Sequence, residues 1–411
     1  MSIKNISKLV EVNNFSQGLD SVYQAGSAER SFNYSDGEAS EAALYKILSK
    51  AKDLSSDSVE LQPQICDWPT EYHLSSSRAN LLKPLKFDGI TRVLELGCGC
   101  GSITRYLGEQ SGLIVDSVEG SPSRAGLAAL RCRDLENVTI CTANFNEIEF
   151  PESYYDLVLF VGVTEYAGRF SQCETDQEAL ADLLALGKRA AKANGVTLVA
   201  IENRLGLKYL LGANEDHYAV PYLGLDNYPE SSGIRTYSQS EWRSHANSFS
   251  AIEFMYPFPD YKVPTAVLKT VNEETVQSLK KLQSRDYTAA FDAGENEFRI
   301  WQGLQQAGTL GEHSNSFLIA LSDNQATIDS LCDFDAEIYE PQTLNYETPI
   351  ALTNAKAVGQ LDRDLQLHLN AQITQLQSHS DNLQSKVDIM SNSIGWRLLN
   401  GVRRLFGKTT L

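Results

Sequence analysis

The sequence predicts an α/β fold in which a largely parallel sheet carries helices on both faces. The strand Val93-Leu94-Glu95-Leu96 runs directly into Gly97-Cys98-Gly99-Cys100-Gly101, with glycine at every second position of the turn. The run from Tyr155 to Val163 is almost continuously apolar, as a strand buried on both faces of a parallel sheet must be. Strand and helix patterns alternate between these landmarks and beyond them, which is the pattern of parallel strands joined by helical crossovers.

Taken in order, residues 1–37 are polar, rich in Ser and Asn, and expected to be irregular. A helix is expected over 38–54, where Ala42, Leu44, Tyr45, Leu48 and Ala51 lie near helical spacing, and it is assigned as a lid. The stretch from Asp67 to Ser75 and a helical 76–85 follow, bringing Trp68, Tyr72, His73, Arg78 and Asn80 ahead of the glycine turn. Next come a helix over 102–109, a strand ending at Glu119, a strand over 138–141, a helix over 176–193 capped by Asn194-Gly195, and a strand over 196–201. Strands at 252–256 and 265–269 are expected to close a seven-stranded sheet as an antiparallel hairpin. Residues 271–322 read as an appended α/β segment and 323–357, with Pro341 and Pro349, as a linker. Beyond the linker, Leu369, Leu376, Leu383 and Met390 recur every seven residues, with Ile373, Val387 and Ile394 at complementary positions. This pattern predicts a coiled coil over 358–393 and, through it, a homo-oligomer. The amphipathic tail 394–411 carries Arg397, Arg403, Arg404 and Lys408 without an acid and suits an anionic membrane surface or a partner protein.

Glycines are needed after Leu96 because the backbone must turn sharply and let a ligand approach closely. A dinucleotide fingerprint needs its third small residue one position later, where this chain has Ser102. Glu119 follows Gly97 at the roughly 20-residue offset of an acid that binds an adenosine ribose, with Asp116 as its rival inside the strand. Cys98 and Cys100 lack the second ligand pair of a zinc site. No Asp/Glu/His cluster has a spacing that compels a metal, and none is assigned.

With Glu95 ahead of the first glycine, this set resembles motif I of the class I S-adenosylmethionine (SAM) methyltransferases. The resemblance implies a seven-stranded Rossmann-like sheet with SAM as cofactor, lined by Glu95, Gly97, Cys98, Gly99, Gly101, Glu119 and Val161, with the adenine held by Asn144 and Phe145. The segments Trp68-Pro69 to Arg78, Glu202-Asn203 to His217 and Pro257 to Lys262 are similar to a bacterial subfamily encoded among surface-polysaccharide genes or fused to glycosyltransferases. That second resemblance covers roughly residues 30–322. It implies O-methylation of a sugar or sugar-linked group, with a glycosyltransferase as partner.

Either Tyr72, His73 and Arg78 close over the methionine carboxylate or the acceptor, or Trp68 and Tyr72 cap the sheet while Arg78 pairs with an acid. Asn203, delivered to the sheet edge by the strand before it, is assigned to the acceptor. A hydroxyl nucleophile gains from a base, and His217 is assigned to that role with Asp216 or Glu215 beside it; His73, Glu165 and Tyr166 are alternatives. The alternative function is a SAM-binding scaffold that organises glycosyltransferases through its coiled coil, or a methyltransferase of a small metabolite or protein.

Across 411 residues the net charge is -18, which disfavours a nucleic-acid substrate because a phosphate-tracking surface needs clustered Lys and Arg. Seven irregularly spaced cysteines suit a reducing compartment, and neither a signal peptide nor a membrane-spanning stretch is evident. A cytoplasmic location is expected, with peripheral membrane contact through 394–408.

Overall fold

The structure, a computed structural model, describes residues 7–18, 21–24, 37–229, 233–294 and 296–342, all within the unit Met1–Pro349. Among the described residues, eleven strands form one sheet: β1 (Ser16–Gln17), β2 (Tyr23–Gln24), β3 (Arg92–Leu96), β4 (Ile114–Glu119), β5 (Val138–Thr142), β6 (Tyr155–Val161), β7 (Ala191–Glu202), β8 (Ala251–Phe258), β9 (Ala266–Leu268), β10 (Ser316–Ser322) and β11 (Ala336–Ile338). Their order is β1-β2-β5-β4-β3-β6-β7-β10-β8-β9-β11. The run from β2 to β7 is parallel and the rest antiparallel. The result is a mixed α/β, Rossmann-like sheet, wider than the seven strands expected.

Alternation along each strand fills both faces. Val158 and Phe160 of β6, with Phe317, Ile319 and Leu321 of β10, enter one core beneath the helices Asp176–Ala190 and Glu297–Gln306. Leu157, Leu159 and Val161, with Leu318 and Ala320, enter the other beneath Ser102–Glu109 and Gln325–Leu331. Thr175 and Glu178 form a reciprocal capping box that starts the first of these helices, satisfying two otherwise orphaned amides.

The closing hairpin differs from the expected one. Ser316–Ser322 inserts between β7 and β8, with Ser316 opposite Glu202 and Leu318 opposite Met255, while Ala266–Leu268 pairs on the far side of β8. All seven residues of β10 are buried, so their backbone groups need partners on both sides, and a central position supplies them. Residues 271–322 are therefore not an appendage to the sheet. Nor is 323–342 a linker, since Ile328 and Leu331 are buried in the second core and β11 pairs with β9.

At the other end, the helix Lys8–Val12 buries Leu9 and Val10, and β1 and β2 extend the sheet beyond β5, so the described part of 1–37 is ordered rather than irregular. The helix Glu38–Lys50 is not a lid over the carboxyl edge of the sheet. Its Leu44 and Leu48 pack with Leu127 of the helix Pro122–Arg131. The predicted coiled coil at 358–393 and basic tail at 394–411 lie outside the described residues. Among the described residues, no helix is long and apolar enough to cross a membrane.

Candidate active site

The chain winds outward from β3 through β4 to β5, then returns to place β6 and β7 on the other side of β3. Such a reversal opens a crevice at the carboxyl ends of the strands, between β3 and β6. A cavity of about 650 Å³ lies there, a size usual for small-molecule sites. Its walls come from the turn after β3, the ends of β4 and β7, and the loops after β5 and β6.

The glycine turn is built for close approach. Gly97, Gly99 and Gly101 have φ of 79°, 56° and 82°, conformations that L side chains resist. A Cβ on Gly97 would stand 2.4 Å from Val163 Cγ2, and one on Gly101 would stand 2.8 Å from Ala128 Cα. Gly97 and Gly99 line the cavity, whereas Gly101 serves the packing of the turn on the helix Pro122–Arg131. Glu119 accepts hydrogen bonds from the Gly99 amide at 2.7 Å and the Ser121 amide at 2.9 Å, which fixes its buried carboxylate beside the turn. Asp116, its rival, accepts from Tyr155 Oη at 2.9 Å and faces away from this cavity. Asn144, Phe145 and Val161 line the cavity, and Asn144 also caps the Asn146 amide.

Glu95 lies behind the turn, 2% exposed, accepting from Thr104 Oγ1 at 2.5 Å and Ser117 Oγ at 3.1 Å. Burial pushes its carboxyl up to about 7 from 4.5, against the pull of those two hydroxyls. The folded state thus holds the proton more tightly than the unfolded chain. Stability contributed by this proton is complete below pH 4.5 and is lost as pH rises through about 7. Glu95→Gln should therefore match wild type in acid but exceed it at alkaline pH by on the order of 3 kcal/mol. Urea unfolding of both proteins at about pH 5 and about pH 8 tests this, and an equal difference at both would contradict it.

Trp68, Tyr72, His73 and Arg78 line the cavity, so the structure brings the aromatic and basic segment to the site. Arg78 donates to the carbonyls of Tyr261 and Lys262 and stacks its guanidinium 4.2 Å from the centre of the Tyr72 ring. Two elements the sequence did not connect hold this wall. Arg285 pairs with Glu71 through two bonds of 2.8 Å, and Tyr287 stacks on Trp68 at 4.0 Å between ring centres. Arg124, also not anticipated, lies against Gly99 in the cavity wall.

Three assignments change. Asn203 is not at the cavity: its Nδ2 donates to the carbonyls of Glu312 and Ser314 at 2.8 Å each, and its Oδ1 accepts from the Leu205 amide. It clamps the end of β7 to the chain entering β10. Asn203→Ala should cost about 1–3 kcal/mol of stability, the penalty for buried carbonyls left unbonded, with KM unchanged. A raised KM without destabilisation would restore a role in acceptor binding. Asp216 is not a base, because it is clasped by Lys208 at 2.8 Å and Lys262 at 2.7 Å. Burial would raise its carboxyl, but the two ammonium groups hold it far below the usual carboxylate range.

His217 is likewise not poised to accept a proton. Its Nδ1 lies 2.9 Å from Glu215 Oε1, and its Nε2 lies 3.7 Å from Glu165 Oε1. Burial would lower the imidazole, but Glu215, Glu165 and Glu202 raise it well above 6.5. Glu215 itself is occupied: it accepts from the amides of His217 and Tyr218 and from Tyr228 Oη, and so organises the loop. Glu202 accepts from Lys262 and, at 3.3 Å, from Tyr261 Oη. Glu165, in the turn after β6, is the remaining carboxylate of the cavity's acidic end without an ammonium partner among the described residues. Burial raises its carboxyl, the charge of Glu202 adds to this, and His217 opposes it. Glu165, Glu202 and His217 are far apart in sequence, and no spacing rule joins them.

Residues 93–187 match the family described as "Methyltransferase domain". No curated protein matches the chain. Among solved structures, phosphoethanolamine N-methyltransferase 2 of Haemonchus contortus, in complex with phosphomonomethylethanolamine and S-adenosylhomocysteine, is 16% identical with a TM-score of 0.37. The alignment covers 68% of this chain and 56% of that one, so the chain spans little more than half of the worm enzyme. A SAM-dependent methyltransferase from Archaeoglobus fulgidus is also 16% identical, with a TM-score of 0.36 and coverage of 61% and 97%. The CcbJ methyltransferase from Streptomyces caelestis is 16% identical, with a TM-score of 0.36 and coverage of 61% and 89%. The glycine cradle that a Cβ would fill and the carboxylate fixed at the end of β4 fit an adenosyl cofactor. Residues 93–187 thus match a methyltransferase domain by sequence, and the glycine cradle and the fixed Glu119 carboxylate are compatible with S-adenosyl-L-methionine, the cofactor that the sequence led us to expect.

Proposed function

We propose that the chain is an O-methyltransferase whose acceptor is a sugar or sugar-linked group of a surface polysaccharide. The observation that carries this reading is the continuity of one cavity from the glycine turn to an acidic, aromatic end formed by Glu165, Tyr166, Glu202, His217 and Tyr261. The resemblance of the segments around Trp68–Arg78, Glu202–His217 and Pro257–Lys262 to the polysaccharide subfamily supplies the acceptor class. Carboxylates beside aromatic faces suit an acceptor with hydroxyl groups to bond and an apolar ring face to cover.

In this reading, Glu119 accepts hydrogen bonds from the ribose hydroxyls, Asn144 and Phe145 hold the adenine, and Tyr72, His73 and Arg78 cover the methionine end. The bound cofactor supplies an electrophilic methyl group for in-line displacement. Alignment does most of the work, with reacting atoms held about 3–3.5 Å apart. Glu165 would take the proton from the acceptor hydroxyl as the new carbon–oxygen bond forms and the methyl carbon–sulfur bond breaks, with S-adenosylhomocysteine as the leaving group. Its raised pKa brings it nearer the operating pH, which is what a general base requires. Lys208 and Lys262 hold Asp216 and Glu202 in place and leave neither to compete for that proton.

Incubation of the purified protein with methyl-labelled cofactor and lipid-linked glycans from the producing cell tests the reading. Label in the glycan, removed by acid hydrolysis as an O-methyl sugar, is expected. Label found only in protein or small metabolites would overturn the acceptor assignment.

A further inference from the structure

We propose that Glu165, Glu202 and His217 form a binding site for a divalent first-row cation. One carboxylate oxygen from each Glu and a ring nitrogen of His217 lie within 4.8 Å of one another, and all three residues line the cavity. Metal–ligand bonds of about 2.0–2.2 Å place ligands of one ion roughly 3–4 Å apart, so only a small closure is required. The 3.7 Å between His217 Nε2 and Glu165 Oε1 is too long for a hydrogen bond but fits two ligands of a common ion.

A second observation points the same way. Glu165 Oε2 and Glu202 Oε2 are buried without a hydrogen-bond partner among the described residues, and the two residues are 3% and 0% exposed. Buried carboxylate oxygens are costly unless hydrogen-bonded, paired or bound to a metal. The charge balance agrees. In this hydrogen-bonded group, the carboxylates Glu165, Glu202, Glu215 and Asp216 face the ammonium groups Lys208 and Lys262. A cation bound to His217 takes the place of the imidazole's proton, and the excess of negative charge that it then meets is two.

The imidazole is oriented as a ligand would be. Nδ1 meets Glu215 Oε1 at 2.9 Å, which sets Nε2 free toward Glu165, and Glu215 is itself held by two backbone amides and Tyr228. A carboxylate behind a ligating His fixes its tautomer and ring plane. Two carboxylates and one imidazole suit Mn²⁺, Fe²⁺ or Zn²⁺. Three protein ligands leave coordination positions open to acceptor oxygens. That last role rests on the proposed methyl transfer, whereas cation binding does not.

Calorimetric titration of the full chain with MnCl₂, in parallel with S-adenosylhomocysteine, tests the site. One equivalent of Mn²⁺ is expected, weakened at least about 100-fold in Glu202→Gln and His217→Gln and about 10–100-fold in Glu215→Gln. Binding of S-adenosylhomocysteine by each variant reports that the fold survives. No Mn²⁺ uptake by wild type up to about 1 mM, or uptake unchanged in the folded variants, overturns the proposal. Methyl transfer is read separately on the metal-free protein, where Glu165 is available as the base, and its failure there counts against the acceptor reading alone.

Discussion

Glu165→Gln is expected to lower turnover by about 10²–10⁴-fold, the range that a positioned general base contributes. The substitution keeps the shape of the side chain and its place after β6 but removes the proton acceptor. Affinity for S-adenosylhomocysteine should be unchanged, because the glycine turn and Glu119 are untouched. In metal-free protein, wild-type kcat should rise with pH as the raised Glu165 carboxyl ionises, and the variant should lose that limb of the profile. The other carboxylates cannot take over without breaking their own contacts: Asp216 and Glu202 are held by lysines and Glu215 by the loop it organises. Steady-state kinetics over pH on both proteins decide the matter. A variant that retains most of its turnover with the same pH profile would remove Glu165 from the chemistry.

Gly97→Val is expected to weaken cofactor binding by about 100-fold or more. Two costs combine. A β-branched residue at φ 79° is strained, by roughly 1–2 kcal/mol for the left-handed backbone alone. Its Cβ would also stand 2.4 Å from Val163 Cγ2, and crowding of this kind costs typically about 1–3 kcal/mol. Relief requires the turn to move away from Val163, which shifts the Gly99 amide from Glu119 and opens the cradle. At about 1.4 kcal/mol per tenfold, the two costs together account for the expected loss. Isothermal titration with S-adenosylhomocysteine measures it, and circular dichroism confirms that the sheet remains. A folded variant with wild-type affinity would show that the turn does not hold the cofactor.

The glycine turn, the acid at the end of β4 and the apolar strand β6 were legible because each depends on local rules. Left-handed backbone demands glycine, alternation sets the faces, and a fixed offset separates the turn from Glu119. Asn203 was misassigned because sequence placed it correctly at the end of a strand but could not show that the carbonyls of Glu312 and Ser314, in the segment leading into β10, take its amide hydrogens. Asp216 and His217 were misassigned for a related reason. Adjacent in the chain, they point to different partners, one to lysines and the other to glutamates. The helix Glu38–Lys50 has the periodicity of an amphipathic surface helix, and nothing in that periodicity says which surface it covers.

Sequence by itself determined that an α/β sheet carries a nucleotide-type turn after β3, because those signals lie within a few residues of one another. Tertiary structure alone decided that β10 enters the sheet between β7 and β8, and that Glu165, Glu202 and His217 meet at one end of the cavity. Both depend on contacts between residues far apart in the chain. Burial and charge there set the ionisation of each group, and neither can be read from spacing along the sequence.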